Sequence, residues 1–245
     1  MRIAIATFLA LLALAMAHAN AQPVNLLVNG DFHDGINGWR GTLRVMQDAD
    51  RVVLPSLDIA KGAPGAVIDL DNSGGGRAVT LAWQDFSCHG VPVLDYTLKY
   101  EFSNDYQPSD RGENRHVPDY NLPSDRDVTP ETETYNDFIS NCLGQRCHGF
   151  LPPMVGADFA LVVADMKTGE FTGIVIHPTL GSIGVQTTDG HLEHISDGDP
   201  LRMALIFRGG TGKVALFNVS LTASDLPAAN APLMDKSPTI PEFHL

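Results

Sequence analysis

Three groups of residues in this chain have the types and spacing that chemistry needs. The first consists of polar side chains set among alternating apolar ones. Gln84 lies in Trp83-Gln84-Asp85-Phe86, Lys99 and Glu101 alternate with Leu98, Tyr100 and Phe102, and Arg202 and Arg208 lie near and at the two ends of the run from Leu201 to Arg208. Amide, ammonium, carboxylate and guanidinium groups raised on a sheet face are fixed hydrogen-bond donors and acceptors. The second group is Tyr106 and Tyr120, whose rings have an apolar body and a polar tip. The third is histidine with carboxylate. In His191-Leu192-Glu193-His194 a strand would put His191 and Glu193 on one face and His194 on the other, so the three do not easily converge on a metal. His89, His116 and His148 would need the chain to fold back to meet. Nine acids stand between Asp105 and Asp137 against three arginines, a reservoir for acid and base work whose geometry a loop does not reveal. Neither Gly-x-Ser-x-Gly nor His-Glu-x-x-His occurs. No catalytic residue and no metal ligand are assigned.

The elements that must hold these residues are strands. Tyr96 to Ser103 alternates cleanly, with Tyr96, Leu98, Tyr100 and Phe102 on one face. Leu201 to Arg208 does the same, and Lys213–Thr222, Ala157–Ala164, Glu170–His177 and Ala78–Phe86 read as further strands. Weaker candidates are Asn25–Val28, Thr42–Met46, Arg51–Leu54 and Ala66–Leu70. Lys167-Thr168-Gly169 and Gly209-Gly210-Thr211-Gly212 mark turns, and Thr188-Asp189-Gly190-His191 reads as a tight hairpin. No amphipathic helix of ten residues is found after the first segment. Many short strands with Gly-rich turns predict an all-β fold, an antiparallel jelly-roll β-sandwich.

Residues 104–149 break the pattern with Pro, Asp, Asn and Arg and form a long, partly irregular insertion, either a partly ordered lid or a solvated acidic loop. Residues 223–245 form a Pro/Ala-rich tail. The first 21 residues carry Arg2, a short apolar run to Met16 and small-x-small patterns at Ala17–Ala21, the marks of a secretory signal peptide. The β-sandwich is therefore expected over 22–222, exported to the periplasm or outside the cell, with no membrane span after cleavage. Export favours oxidation of cysteine, and among Cys88, Cys142 and Cys147 the short-loop pair Cys142–Cys147 is the first choice for a disulfide. A net charge of −13 argues against nucleic acid and leaves neutral sugars, cations or basic partners.

Three stretches stand in order along the chain: the opening Asn25-Leu26-Leu27-Val28-Asn29-Gly30-Asp31-Phe32 followed by Gly38-Trp39, the middle Trp83-Gln84-Asp85-Phe86 with Tyr96-Thr97-Leu98-Lys99-Tyr100, and the closing run Val214 to Leu221. Together they resemble the first motif, the middle strand pair and the closing strand of the CenC-type carbohydrate-binding modules, which are galactose-binding-like jelly rolls. The resemblance implies Trp39 in the core and, in the family, acids near the chain ends that hold a structural Ca²⁺. Here His33 and Phe217 stand at those positions and supply no hard oxygen, so a calcium would need Asp31, Asp34 and Asn218. No cofactor is expected.

The sequence reading is thus a non-catalytic protein that binds a glycan or polysaccharide through Gln84, Lys99, Glu101, Arg202, Arg208, Tyr106 and Tyr120. Two other readings stay open: an envelope or extracellular protein-interaction domain that uses the acidic insertion, and a jelly-roll hydrolase or lyase that uses insertion carboxylates.

Overall fold

The computed structural model describes residues 23–54, 62–70, 79–88, 90–108, 143–151, 158–179, 184–208 and 210–225. The first 22 residues, His89, His116, Tyr120, Cys142 and the residues beyond 225 lie outside the described residues. Among the described residues, eleven strands form two sheets. They are β1 (Arg40–Gly41), β2 (Leu43–Val45), β3 (Ala66–Leu70), β4 (Val79–Phe86), β5 (Val93–Phe102), β6 (His148–Phe150), β7 (Phe159–Asp165), β8 (Glu170–Ile176), β9 (Gln186–Glu193), β10 (Leu201–Arg208) and β11 (Gly212–Ala223). The six-stranded sheet runs β1-β4-β10-β7-β8-β6 and the five-stranded sheet β2-β3-β11-β5-β9. All pairings are antiparallel except β6 with β8. The fold is an antiparallel jelly-roll β-sandwich, as the alternation predicts. The only helix among the described residues is the four-residue α1 (Asp48–Arg51), and none is long and apolar enough to cross a membrane.

Period two sorts the residues between faces. Leu98 and Tyr100 of β5, Phe159 and Leu161 of β7, Met203, Leu205 and Phe207 of β10 and Val214, Leu216, Val219 and Leu221 of β11 meet between the sheets as one core. Tyr100, Phe102, Phe159 and Phe207 pack ring to ring at its centre, at centroid distances of 4.7 to 6.4 Å. Trp39 joins this core at 6 % exposure, packs on Phe32, and donates its indole N–H to the Asn29 carbonyl at 3.2 Å.

Both outer faces are partly covered. Leu143, Cys147 and Leu151, at the end of the insertion, pack with Phe171 on Ala160, Val162, Ala164, Ala204 and Ile206 of the six-stranded sheet. Met46 and Leu54, flanking α1, cover Val67, Ala215 and Phe217 of the five-stranded sheet. Beside them Arg44 forks onto Asp50 at 2.6 and 2.7 Å and onto Asp69 at 2.6 and 3.0 Å.

Three sequence expectations are corrected. The Asp189-Gly190 pair makes no hairpin: β9 runs straight through it, with Asp189 opposite Thr97 and Gly190 opposite Tyr96. Glycine is needed there for close approach, because a Cβ on Gly190 would lie 2.7 Å from the Tyr96 hydroxyl. Arg51–Leu54 is no strand but the end of α1 and a turn. Asn25–Val28 forms no regular strand, yet it pairs with the half of β11 that β3 does not reach, through Leu26 N–H to Leu221 O at 2.7 Å and Val219 N–H to Gly30 O at 2.8 Å.

Candidate functional site

The residues singled out from the sequence do not converge. Gln84 points between the sheets at 4 % exposure. Its amide oxygen accepts the Val28 N–H at 2.6 Å and its amide nitrogen donates to the Val28 carbonyl at 3.0 Å. Lys99 and Glu101 share the outer face of the five-stranded sheet, where Lys99 is half-buried and Glu101 is only 1 % exposed beside Ala215. Arg202 lies on the opposite outer face. It forks onto Asp85 at 2.7 and 3.1 Å, stacks 3.6 Å from the Trp83 ring centroid and reaches the Leu143 carbonyl. Trp83 therefore faces outward, with Arg40 also near its ring. Tyr106 is half-buried against Phe102 with centroids 4.3 Å apart, and burial, with the nearby Asp158 charge, raises its phenol above the ordinary range. The side chain of Arg208, like Tyr120, lies outside the described residues. Lys99 and Arg202 thus have the whole core between them.

The open end of the sandwich gathers a different set. A cleft of about 710 Å³ lies where the edge of the six-stranded sheet meets the loop after β9. Its floor is apolar: Val163 and Leu201 from the sheet, Pro92 and Ile195 from the loops. Its polar lining comes from two sides. Strands β6 and β8 supply His148 and Glu170, with Nε2 3.8 Å from Oε1, and Thr172. The loop after β9 supplies His194, Ser196 and Asp197. His194 sits at φ +59°, the left-handed conformation that ends the strand and starts the loop.

Asp165 holds the loop in place. It ends β7 on the inner face at 2 % exposure. Its Oδ1 accepts the Lys167 and Thr168 N–H groups at 2.7 and 3.2 Å, which shapes the turn into β8. Its Oδ2 accepts the Ser196 hydroxyl at 2.7 Å, and Ser196 Oγ in turn accepts the Gly198 N–H at 3.2 Å. Burial works to raise this carboxyl; the hydrogen bonds from Ser196, Lys167 and Thr168 outweigh it and hold it below the usual range. Gly198 is obligatory here, since a Cβ would overlap the Asp165 carboxylate. Ile195 N–H to Pro92 O at 3.1 Å fixes the other side of the loop.

Among the described residues no Lys or Arg lines the cleft, and no group of three His, Cys, Asp or Glu could hold a metal. Asp31 accepts the His33 N–H and pairs with the His33 ring, Asp34 accepts the Asn37 amide, and Phe217 packs under Met46. Cys88 and Cys147 are buried in different clusters, and the partner expected for Cys147 lies outside the described residues.

Of the cleft residues, His148 and the His191–His194 run stand out in the sequence as chemistry-bearing types. Asp165, Ser196 and Asp197 were missed. The signals are a lone acid closing the apolar run of β7 before Thr168-Gly169, and the turn-rich Ser196-Asp197-Gly198-Asp199.

No family model matches the chain, and no curated protein does. Among solved structures it is similar to a family 61 carbohydrate-binding module in complex with β-1,4-galactotriose, at 12% identity, covering 82% of this chain and 99% of that one with a TM-score of 0.42. A family 11 module from Clostridium thermocellum in complex with a mixed-linked tetrasaccharide is 7% identical over 79% of this chain and 94% of that one, with a TM-score of 0.41. The N-terminal tandem CBM22 domain of Paenibacillus barcinonensis Xyn10C is 10% identical over 89% of this chain and 50% of that one, with a TM-score of 0.44. Likenesses this distant carry no weight for what the chain binds.

Proposed function

We propose that this chain is an exported, non-catalytic glycan-binding protein whose ligand lies in the cleft at the open end of the sandwich. The observation that carries the reading is the make-up of that cleft. An apolar floor of Val163, Ile195 and Leu201 suits the C–H faces of a sugar, and His148, Glu170, His194 and Asp197 line the same cleft as partners for its hydroxyls. Export rests on the leader-like first 21 residues. The non-catalytic part rests on Ser196 and Asp165. The serine hydroxyl donates to a carboxylate rather than to an imidazole, and that carboxylate already accepts three hydrogen bonds, so neither is poised as nucleophile or base.

The test is a glycan array probed with the chain expressed with its own leader and recovered from the export compartment, followed by assay of each bound glycan for cleavage. The expected result is a defined set of hits, no release of product, and loss of the hits in Thr172→Tyr, whose ring would fill the cleft. A blank array with folded protein, or turnover of a bound glycan, overturns the reading.

A further inference from the structure

The cleft has a one-sided chemistry that narrows its ligand. One wall is the edge of the six-stranded sheet and the other is the loop after β9, yet each brings an imidazole and a carboxylate: His148 with Glu170 on one side, His194 with Asp197 on the other. The third carboxylate, Asp165, is held by Ser196 and two backbone amides and has no role left to play toward a ligand. Glu170 and Asp197 differ from it. Among the described residues the cation-forming group within reach of Glu170 is the His148 ring at 3.8 Å, beyond hydrogen-bond distance, and the Asp197 carboxylate receives no donor. No Lys or Arg among the described lining residues neutralises the pair. The Asp197 charge is also felt inside the fold, where burial first, and then Asp197 and Asp199, raise the Cys88 thiol.

An ionised carboxylate only accepts hydrogen bonds, and an ammonium group only donates them. Such a cleft favours a ligand that adds donors and positive charge to a sugar, and it repels one that adds a carboxylate. We propose that the cleft selects glycans carrying a free amine, de-N-acetylated hexosamine units, over their acetylated and uronate counterparts. The apolar floor takes the ring C–H face while Glu170 and Asp197 receive the ammonium from either side. This inference rests on the glycan-binding reading above and adds the ligand class to it.

Calorimetric titration of the full chain separates the two. The probes are the glucosamine tetrasaccharide, its fully N-acetylated counterpart and a galacturonate tetrasaccharide. The free-amine oligomer is expected to bind at least about tenfold more tightly than the acetylated one, with no binding of the uronate, as charge-assisted hydrogen bonds imply. The isosteric variants Glu170→Gln and Asp197→Asn should each lower that preference by about tenfold, and salt at about 1 M should narrow it in the unmodified protein. Equal binding of the free-amine and acetylated oligomers overturns the amine selection and leaves the glycan reading standing. Spermine competing as well as the glucosamine oligomer also overturns it, by showing a plain cation site. Failure of these probes together with a blank glycan array removes both.

Discussion

The Gln84 side chain pairs with the backbone of Val28 as a second strand would, accepting its N–H at 2.6 Å and donating to its carbonyl at 3.0 Å. Val28 lies in the opening segment, which Asn25 fastens to the other sheet. The Asn25 amide donates to Val219 O at 3.1 Å and accepts Leu221 N–H at 3.0 Å. The segment from Asn25 to Gly30 is therefore stapled to both sheets. It covers the part of β11 left open by β3, where unpaired backbone groups would be costly. Replacing Gln84 with Leu keeps the volume and leaves Val28 unsatisfied. The expected loss is about 2 kcal/mol in urea unfolding, with glycan binding unchanged. Loss of binding with stability intact would place Gln84 at the ligand instead.

Gly190 distinguishes a through-going strand from a hairpin turn. A turn glycine at positive φ tolerates Asn, whereas Gly190 lies flat against the Tyr96 ring. Gly190→Asn and Gly190→Ala should therefore both destabilise by about 1–3 kcal/mol through overpacking. Thermal melts read this directly, and an Asn variant as stable as the parent would favour the turn.

The cluster around Arg44 makes part of the stability acid-labile. Hydrogen bonds from Arg44 hold the Asp50 carboxyl well below the usual range, against the opposing effect of burial, and the Asp69 carboxyl is lowered by the same guanidinium. A carboxyl depressed in the folded state contributes stability above its unfolded pKa of about 3.9 and loses it as pH falls toward the folded value. Asp50→Asn should thus be less stable by about 2 kcal/mol at neutral pH, and the gap should shrink on acidification below about pH 4. Urea unfolding of both forms across this range is the check; a gap that stays constant would remove the ion pair as its source.

Ser196 links the fold to the cleft. Ser196→Ala removes one of three donors from Asp165 and frees the Gly198 N–H, so the loop bearing His194 and Asp197 loses an anchor. Stability should fall by about 1–2 kcal/mol and the Asp165 carboxyl should titrate at higher pH, visible by carboxyl NMR. An Asp165 titration that does not move would contradict the anchoring role.

The strands were legible because one face of each is buried and alternation follows: β5, β7, β8, β10 and β11 lie where Tyr96 to Ser103 and its counterparts put them. Gly190 misled because glycine allows a turn and also a close approach, and only the distant Tyr96 decides between them. The binding residues were harder. Polar side chains on alternate positions share a face within one strand, but Lys99 and Arg202 sit in different sheets whose outer faces point apart. An inward-facing Gln looks like a ligand group until Val28 is brought to it by a contact 56 residues away in sequence. The cleft, in turn, is assembled from strand ends and one loop. No periodicity records such a juxtaposition of His148, Glu170 and Asp197.

The most direct test of the cleft as the glycan site is NMR of protein labelled at histidine, titrated with the tightest-binding oligosaccharide from the array. His148 and His194 line the cleft, whereas His191 lies on the outer face of the five-stranded sheet, paired with Asp95 at 2.6 Å. The account predicts that the His148 and His194 ring signals move on binding while His191 stays still. Movement of His191 with His148 and His194 unchanged would contradict it and put the ligand on the sheet face beside Lys99.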